Sequence, residues 1–193
     1  MSKNRILIIG KSPLVLETTT KLLQERGYKV DTTDNFDDIT KRFDLRQFDL
    51  ITTGGQVPEE KRAEIRKDAR EQKHEMLFVQ GLAGIPGLIV QQIEGEFAAT
   101  YQDQKNTPTY ERDTRQIIIN LTEQAEVKIT AWWQTTFVPP NPGSDSRVLL
   151  DEQLGAGEHL IGIPTVVPEK ASFVTVQLDK AIYNFSLMPS QSK

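Results

Sequence analysis

The sequence contains no cysteine. That excludes disulfides, thiolate nucleophiles, iron–sulfur clusters and cysteine-ligated zinc, and it fits a reducing compartment, so a cytoplasmic location is the expectation. Histidine is nearly absent. His74 lies in a charged stretch and His159 in a strand pattern, without the short spacing of a metal pair. No segment approaches the ~18 consecutive apolar residues of a membrane span. The opening run Ile6-Leu7-Ile8-Ile9 is followed by Gly10 and Lys11 and is too short for a signal-peptide core, so no membrane association is expected. A positive excess is also missing. The formal net charge is -4, whereas a general nucleic-acid binder carries basic residues to neutralise phosphates. There is no G-x-S-x-G elbow. Gly10-Lys11-Ser12 ends like a phosphate-binding loop, but the first glycine of that motif would fall at Arg5, inside a strand. No dinucleotide glycine pattern follows the first strand, and no cofactor is implied.

What is present reads as a globular chain. Of its 193 residues 37% are hydrophobic and 26% charged, enough for one large domain or two small ones. The first half alternates strand and helix signals. Ile6 to Ile9 is a strand buried on both faces. Ser12-Pro13 caps a helix through Leu14, Leu16, Leu22 and Leu23 that stops at Gly27. Tyr28 to Thr32 is a short strand, and Asp34 or Asn35 caps a second helix through Ile39 and Phe43. Phe48 to Thr53 ends at Gly54-Gly55, and Pro58-Glu59-Glu60 opens a charged helix to Lys73 with Ala63, Ile65 and Ala69 as its apolar stripe. Glu75 to Val79 is a fourth strand, followed by Gly81, Gly84 and Gly87 and a helix from Leu88 to Phe97.

The texture then changes. Residues 100–114 are polar and read as a linker between an α/β domain (1–99) and an all-β domain (115–193). Strands are expected at Gln116–Leu121, Glu126–Trp133, Arg147–Asp151, Glu158–Ile163, Ser172–Leu178 and Ala181–Leu187, with a rigid loop at Pro139–Gly143 and turns at Leu154–Gly157 and Asp179-Lys180. Short strands at this spacing predict an antiparallel β-sandwich of immunoglobulin-like size. It is not assigned to a family. Trp132 and Trp133 are adjacent, so a flat strand points them to opposite faces, one into the core and one toward a contact surface.

The strand–helix order, Asp49-Leu50-Ile51 at the third strand and Val57-Pro58 after it resemble the receiver domain of response regulators over about residues 4–98. The resemblance implies a three-layer, flavodoxin-like domain with a short parallel sheet. Phosphotransfer in that family uses two acids after the first strand, an aspartate ending the third, a Ser or Thr after the fourth and a lysine after the fifth. Here the acid pair is replaced by Gly10-Lys11, the acceptor position is Gly54, the fourth-strand position falls at Gln80-Gly81, and no fifth strand is evident. A hard cation takes oxygen ligands, and these residues supply none from side-chain carboxylates.

The expectation is therefore a non-catalytic signalling or scaffold protein: a pseudo-receiver joined to a protein-binding sandwich, with a protein partner or a second copy as ligand. The alternative is a sensor of an anion or nucleotide. Gly10, Lys11, Ser12, Gly54, Gly55, Gly81 and Gly84 would line the carboxyl edge of the sheet, where backbone N–H groups approach a ligand.

Overall fold

A computed structural model describes residues 4–102, 106–136, 138 and 142–188. The chain divides into two compact units, residues 4–96 and, among the described residues, 97–136 with 143–188.

The first unit is built on four parallel strands: β1 (Arg5–Ile9), β2 (Lys29–Thr33), β3 (Leu50–Thr53) and β4 (Leu77–Gln80), in the order β2-β1-β3-β4. This is the flavodoxin-like order, without a fifth strand among the described residues. The two central strands are the most apolar. Ile6 to Ile9 and Leu50 to Thr53 are all buried, as strands covered on both faces must be. Four helices follow the strands: α1 (Pro13–Glu25), the single turn α2 (Ile39–Arg42), α3 (Glu59–Gln72) and α4 (Pro86–Phe97).

Helix α1 starts and stops where its sequence dictates. The Ser12 hydroxyl accepts from Val15 N–H, and Pro13 takes the first helical position. At the other end Gly27 has φ 83, its N–H donates to Gln24 O (2.8 Å) and Tyr28 N–H donates to Leu23 O (3.1 Å). That paired closure requires a left-handed residue, which glycine supplies without a Cβ clash. Helix α2 departs from expectation. Neither Asp34 nor Asn35 caps it. Asp38 holds that position in the left-handed region without a side-chain capping bond, its Oδ1 accepting instead from Lys41 Nζ (2.8 Å), while Asn35 Oδ1 accepts from Asp37 N–H (2.9 Å) in a local turn. Short polar side chains satisfied by their own backbone are unavailable as caps.

Leu7, Ile9 and Ile51 face a cluster with Ile39, Ile65, Ala69 and Val57, which places α2 and α3 on one side of the sheet. Ala63, expected in the apolar stripe of α3, is exposed. Ile6 and Ile8 point to the opposite face, where α4 lies beside α1 with Arg26 Nε 3.3 Å from Glu94 Oε1.

Among the described residues the second unit has seven antiparallel strands in two sheets: β5 (Thr109–Glu111), β6 (Gln116–Leu121), β7 (Ala125–Gln134), β8 (Ser144–Leu154), β9 (Gly157–Gly162), β10 (Ser172–Leu178) and β11 (Ala181–Ser186). The orders are β11-β10-β7-β8 and β5-β6-β9. One core joins the sheets: Ile117, Ile119 and Leu121 from β6 meet Val127, Ile129 and Ala131 from β7 and Val174 and Val176 from β10. This is the expected sandwich. Between β7 and β8 the register shifts so that Ile129 opposes Leu150 while Thr130 opposes Val148. Leu149 is the extra residue, and the bulge lets both Leu149 and Leu150 pack on the core.

The stretch read as a linker, 100–114, is not one throughout. Thr109–Glu111 pairs with β6, and Gln102 Nε2 donates to Ile182 O (2.9 Å). Its polar composition hid a three-residue edge strand, because a strand with one exposed face needs few apolar residues. The proline-rich loop lies outside the described residues except for Pro142 and Gly143.

Candidate functional site

The carboxyl edge of the parallel sheet brings Gly10, Gly54 and Gly81 together at the ends of β1, β3 and β4. Each glycine continues the ladder by one rung. Gly10 N–H donates to Thr33 O (3.0 Å), Gly54 N–H to Ile9 O (2.8 Å) and Gly81 N–H to Thr53 O (2.9 Å). These three donors are therefore engaged in the sheet and not offered to an anion. The glycines serve packing instead. A Cβ on Gly54 would lie 3.5 Å from Gly10 Cα, and one on Gly81 would meet Ile89 Cγ1 at 3.2 Å. Gly55, by contrast, faces open space, with nothing within 4 Å of a built Cβ.

The loop after β4 is closed in the same manner. Ala83 and Gly84 both have positive φ, 55 and 61, within a turn in which Ile85 N–H donates to Leu82 O (3.3 Å). Gln92, from α4, accepts from Leu82 N–H at Oε1 (3.0 Å) and donates from Nε2 to Gln80 O (3.2 Å). Sequence reading missed Gln92, since a lone amide in a helix has no pattern to betray it.

Lys11 and Ser12 flank this edge. Ser12 is buried and acts as the cap of α1. The Lys11 ammonium sits 4.5 Å from the centroid of Phe36, a cation–π contact across the loop after β2. Arg42 Nη1 closes the same loop through Thr33 Oγ1 (3.1 Å) and Asn35 O (3.3 Å). With glycine at 10 and 54 and lysine at 11, no side-chain carboxylate stands at the three positions that would hold or receive charge. Among the described residues no cluster of three or more His, Cys, Asp or Glu is placed to hold a metal ion.

Two acids of the first unit are tied to Arg5, at the start of β1. Asp31 accepts from Arg5 Nε (2.8 Å), and Asp49 accepts from Arg5 N–H (2.9 Å) and Lys73 Nζ (2.8 Å). Burial raises the Asp49 pKa, but the Lys73 hydrogen bond, the Arg5 N–H and the Lys73 charge together outweigh it and hold the carboxyl below its ordinary range. Arg5 is held above its ordinary value, chiefly by its hydrogen bond to Asp31. The Asp49–Lys73 pair fastens the start of β3 to the end of α3, and the Arg5–Asp31 pair ties β1 to β2.

In the sandwich, Trp132 and Trp133 do point to opposite faces, and both are half-buried. Trp133 packs on the shared core. Trp132 Nε1–H donates to Thr175 Oγ1 (3.0 Å), beside Thr130 and Thr175, which are buried. Its polar atom is already partnered within the sheet.

No helix among the described residues is long and apolar enough to cross a membrane. Neither a protein-family model nor a curated protein matches the chain. Solved structures do. The non-phosphorylated HemR receiver domain from Leptospira biflexa matches with 19% identity and TM-score 0.36, covering 40% of this chain and 64% of that one. The response regulator protein TrrA from Thermotoga maritima, in complex with Mg(2+)-BeF, matches with 28% identity and TM-score 0.34, covering 40% of this chain and 68% of that one. A de novo designed Rossmann 2x3 fold protein matches with 17% identity and TM-score 0.37, covering 54% of this chain and 97% of its own. The strand order and parallel register give the first unit a flavodoxin-like sheet, independently of these scores.

Proposed function

We propose that the chain is a non-catalytic signalling or scaffold protein, in which a receiver-like unit that cannot accept a phosphoryl group is joined to a β-sandwich that binds protein. One observation carries this reading. Gly54 stands at the acceptor position with its N–H bonded to Ile9 O and its Cα packed toward Gly10. An acyl phosphate forms on a carboxylate oxygen, and this position has only hydrogen. Lys11 adds a cation where a metal-binding acid would be needed, which opposes a second cation. The sensor reading loses support from the same geometry, because its three strand-end donors are engaged and Lys11 lies on Phe36. The reading implies a cytoplasmic, soluble chain with a protein partner, a second copy included.

The test is incubation of the full chain with acetyl phosphate and Mg2+, followed by intact mass spectrometry. No phosphoryl adduct is expected. A Mg2+-dependent adduct mapped to the first unit overturns the assignment. Protein binding is tested by cross-linking in the cells that make the chain. A reproducible protein cross-link is expected, and a chain that cross-links to nothing, itself included, overturns that part.

A further inference from the structure

Strand β4 is the last strand of its sheet, hydrogen-bonded to β3 on one side. Leu77 N–H donates to Asp49 O (3.1 Å) and Gly81 N–H to Thr53 O (2.9 Å). Backbone groups alternate in direction along a strand, so the N–H and C=O of Phe78 and the N–H of Gln80 point to the outer edge. Gln80 O also faces that way and already accepts from Gln92. Phe78 is half-buried, packed at the margin of the cluster under α3.

Two cations stand over that ring. Arg66 Cζ is 5.6 Å and Arg70 Cζ 5.8 Å from the Phe78 centroid, and both side chains belong to exposed residues of α3. The rest of the basic residues of this helix and its end are ion-paired. Lys61 pairs with Glu64 (2.9 Å) and Asp37 (3.4 Å), Arg62 with Glu59, Lys67 with Glu71 (4.0 Å) and Lys73 with Asp49 (2.8 Å). Among the described residues Arg66 and Arg70 have no carboxylate within ion-pair reach. In a chain of net charge -4, two unneutralised arginines held side by side on one aromatic ring, at a strand edge with unpaired backbone groups, form a matched set.

We propose that the outer edge of β4 receives an extended acidic segment of a protein partner as an added strand, with Arg66 and Arg70 reading its carboxylates. This rests on the protein-binding reading above and names the chemistry of the partner. Alternate side chains of a strand lie ~6.8 Å apart on one face. Arginines one helical turn apart are ~6 Å apart along the helix. An acid-x-acid segment therefore fits both guanidiniums while its backbone pairs with Phe78 and Gln80. A nucleic acid fits less well. Its phosphodiester cannot complete a β-ladder, and the ring face that would stack a base is occupied by the guanidiniums.

The experiment uses the full chain and a fluorescein-labelled peptide of alternating Glu and Val, read by anisotropy at low salt. Controls are the same peptide with Lys for Glu, the Glu peptide N-methylated on alternate residues, and oligo-dT. The Glu peptide alone is expected to bind. Arg66→Gln with Arg70→Gln is expected to weaken it by about tenfold or more, the effect of losing a charge-assisted pair, with the chain still cooperatively folded and its melting temperature lowered by no more than about 10 °C, the effect of two exposed cation–π contacts on Phe78. Equal binding of the Lys peptide, retained affinity in the double variant, equal binding of the N-methylated peptide, or tighter binding of oligo-dT each overturns the proposal. A partner that still cross-links in cells to the double variant sinks this site and leaves the broader protein-binding reading standing.

Discussion

Lys73 Nζ donates to Asp49 Oδ1 at 2.8 Å and to Phe48 O at 2.7 Å. The end of α3 is thereby fastened to the start of β3, at the sheet edge opposite Gly54. Asp49 is the aspartate of the Asp-Leu-Ile signature, and the structure gives it an architectural task. The first unit thus holds an acid at the start of β3 and a glycine, Gly54, just past its end.

That pair gives a pH dependence with a definite sign. The folded Asp49 carboxyl is held below its ordinary value. Its contribution is therefore fully present above the unfolded pKa of ~3.9 and is lost as pH falls through the depressed folded value. Asp49→Asn should destabilise the chain at pH 7 by about 1 kcal/mol, a charge-assisted bond discounted for a half-exposed pair. Once pH has fallen below the depressed folded value, the variant and the parent should converge. Denaturant melts across pH check both points, and a gap that persists in acid would refute the assignment.

Restoring the missing acid should not restore chemistry. A Cβ at Gly54 has ordinary van der Waals room, 3.5 Å from Gly10 Cα, so Gly54→Asp is expected to fold. Gly10 and Lys11 still supply no metal-binding carboxylate, and acetyl phosphate with Mg2+ should leave the variant's intact mass unchanged. A phosphoryl adduct on the new aspartate would show that the remaining edge residues suffice.

The edge glycines should separate by packing. Gly81→Ala places a methyl 3.2 Å from Cγ1 of Ile89, a buried residue of α4 that has little space to yield. A loss of about 1 kcal/mol is expected, the low end of core overpacking. Gly55→Ala meets nothing and should lie within ~0.5 kcal/mol of the parent. Chemical denaturation of the two variants decides. Equal losses would mean that backbone conformation, and not contact with Ile89, sets the requirement for glycine.

The two tryptophans should differ in kind. Trp132→Phe removes the Nε1–H donor to Thr175 Oγ1 but keeps an aromatic ring, so a loss of about 1 kcal/mol is expected. Trp133→Ala removes a ring packed on the sandwich core and should cost about 2–3 kcal/mol, below a fully buried truncation because Trp133 is half-buried. If Trp132→Phe leaves stability unchanged yet abolishes a cross-linked partner, its outer face is a contact surface.

Ligand addition provides the remaining check. Phosphate, ATP and GTP should give no concentration-dependent rise in melting temperature, because a ligand that binds only the folded state must raise it. A saturating rise that disappears in Lys11→Ala would revive the anion-sensing alternative at this edge.

The elements were legible where one local rule dominates. The four apolar residues from Ile6 to Ile9 had to be a central strand, Ser12-Pro13 and Gly27 bound α1, and the alternation through Val127, Ile129 and Ala131 had to face a core. The strand in the polar stretch at Thr109–Glu111 and the cap of α2 were not, since each depends on a partner distant in sequence or on a polar side chain choosing among nearby backbone groups. That residue 54 offers no carboxylate was fixed by residue identity alone, because no fold can give glycine a side-chain acid. The state of the glycine edge was decided only in three dimensions. Whether an N–H is free depends on which carbonyl the neighbouring strand sets opposite it, and Thr33, Ile9 and Thr53 take the donors of Gly10, Gly54 and Gly81. Arg66, Arg70 and Phe78 likewise meet only because α3 packs against the sheet edge that a fifth strand would otherwise continue.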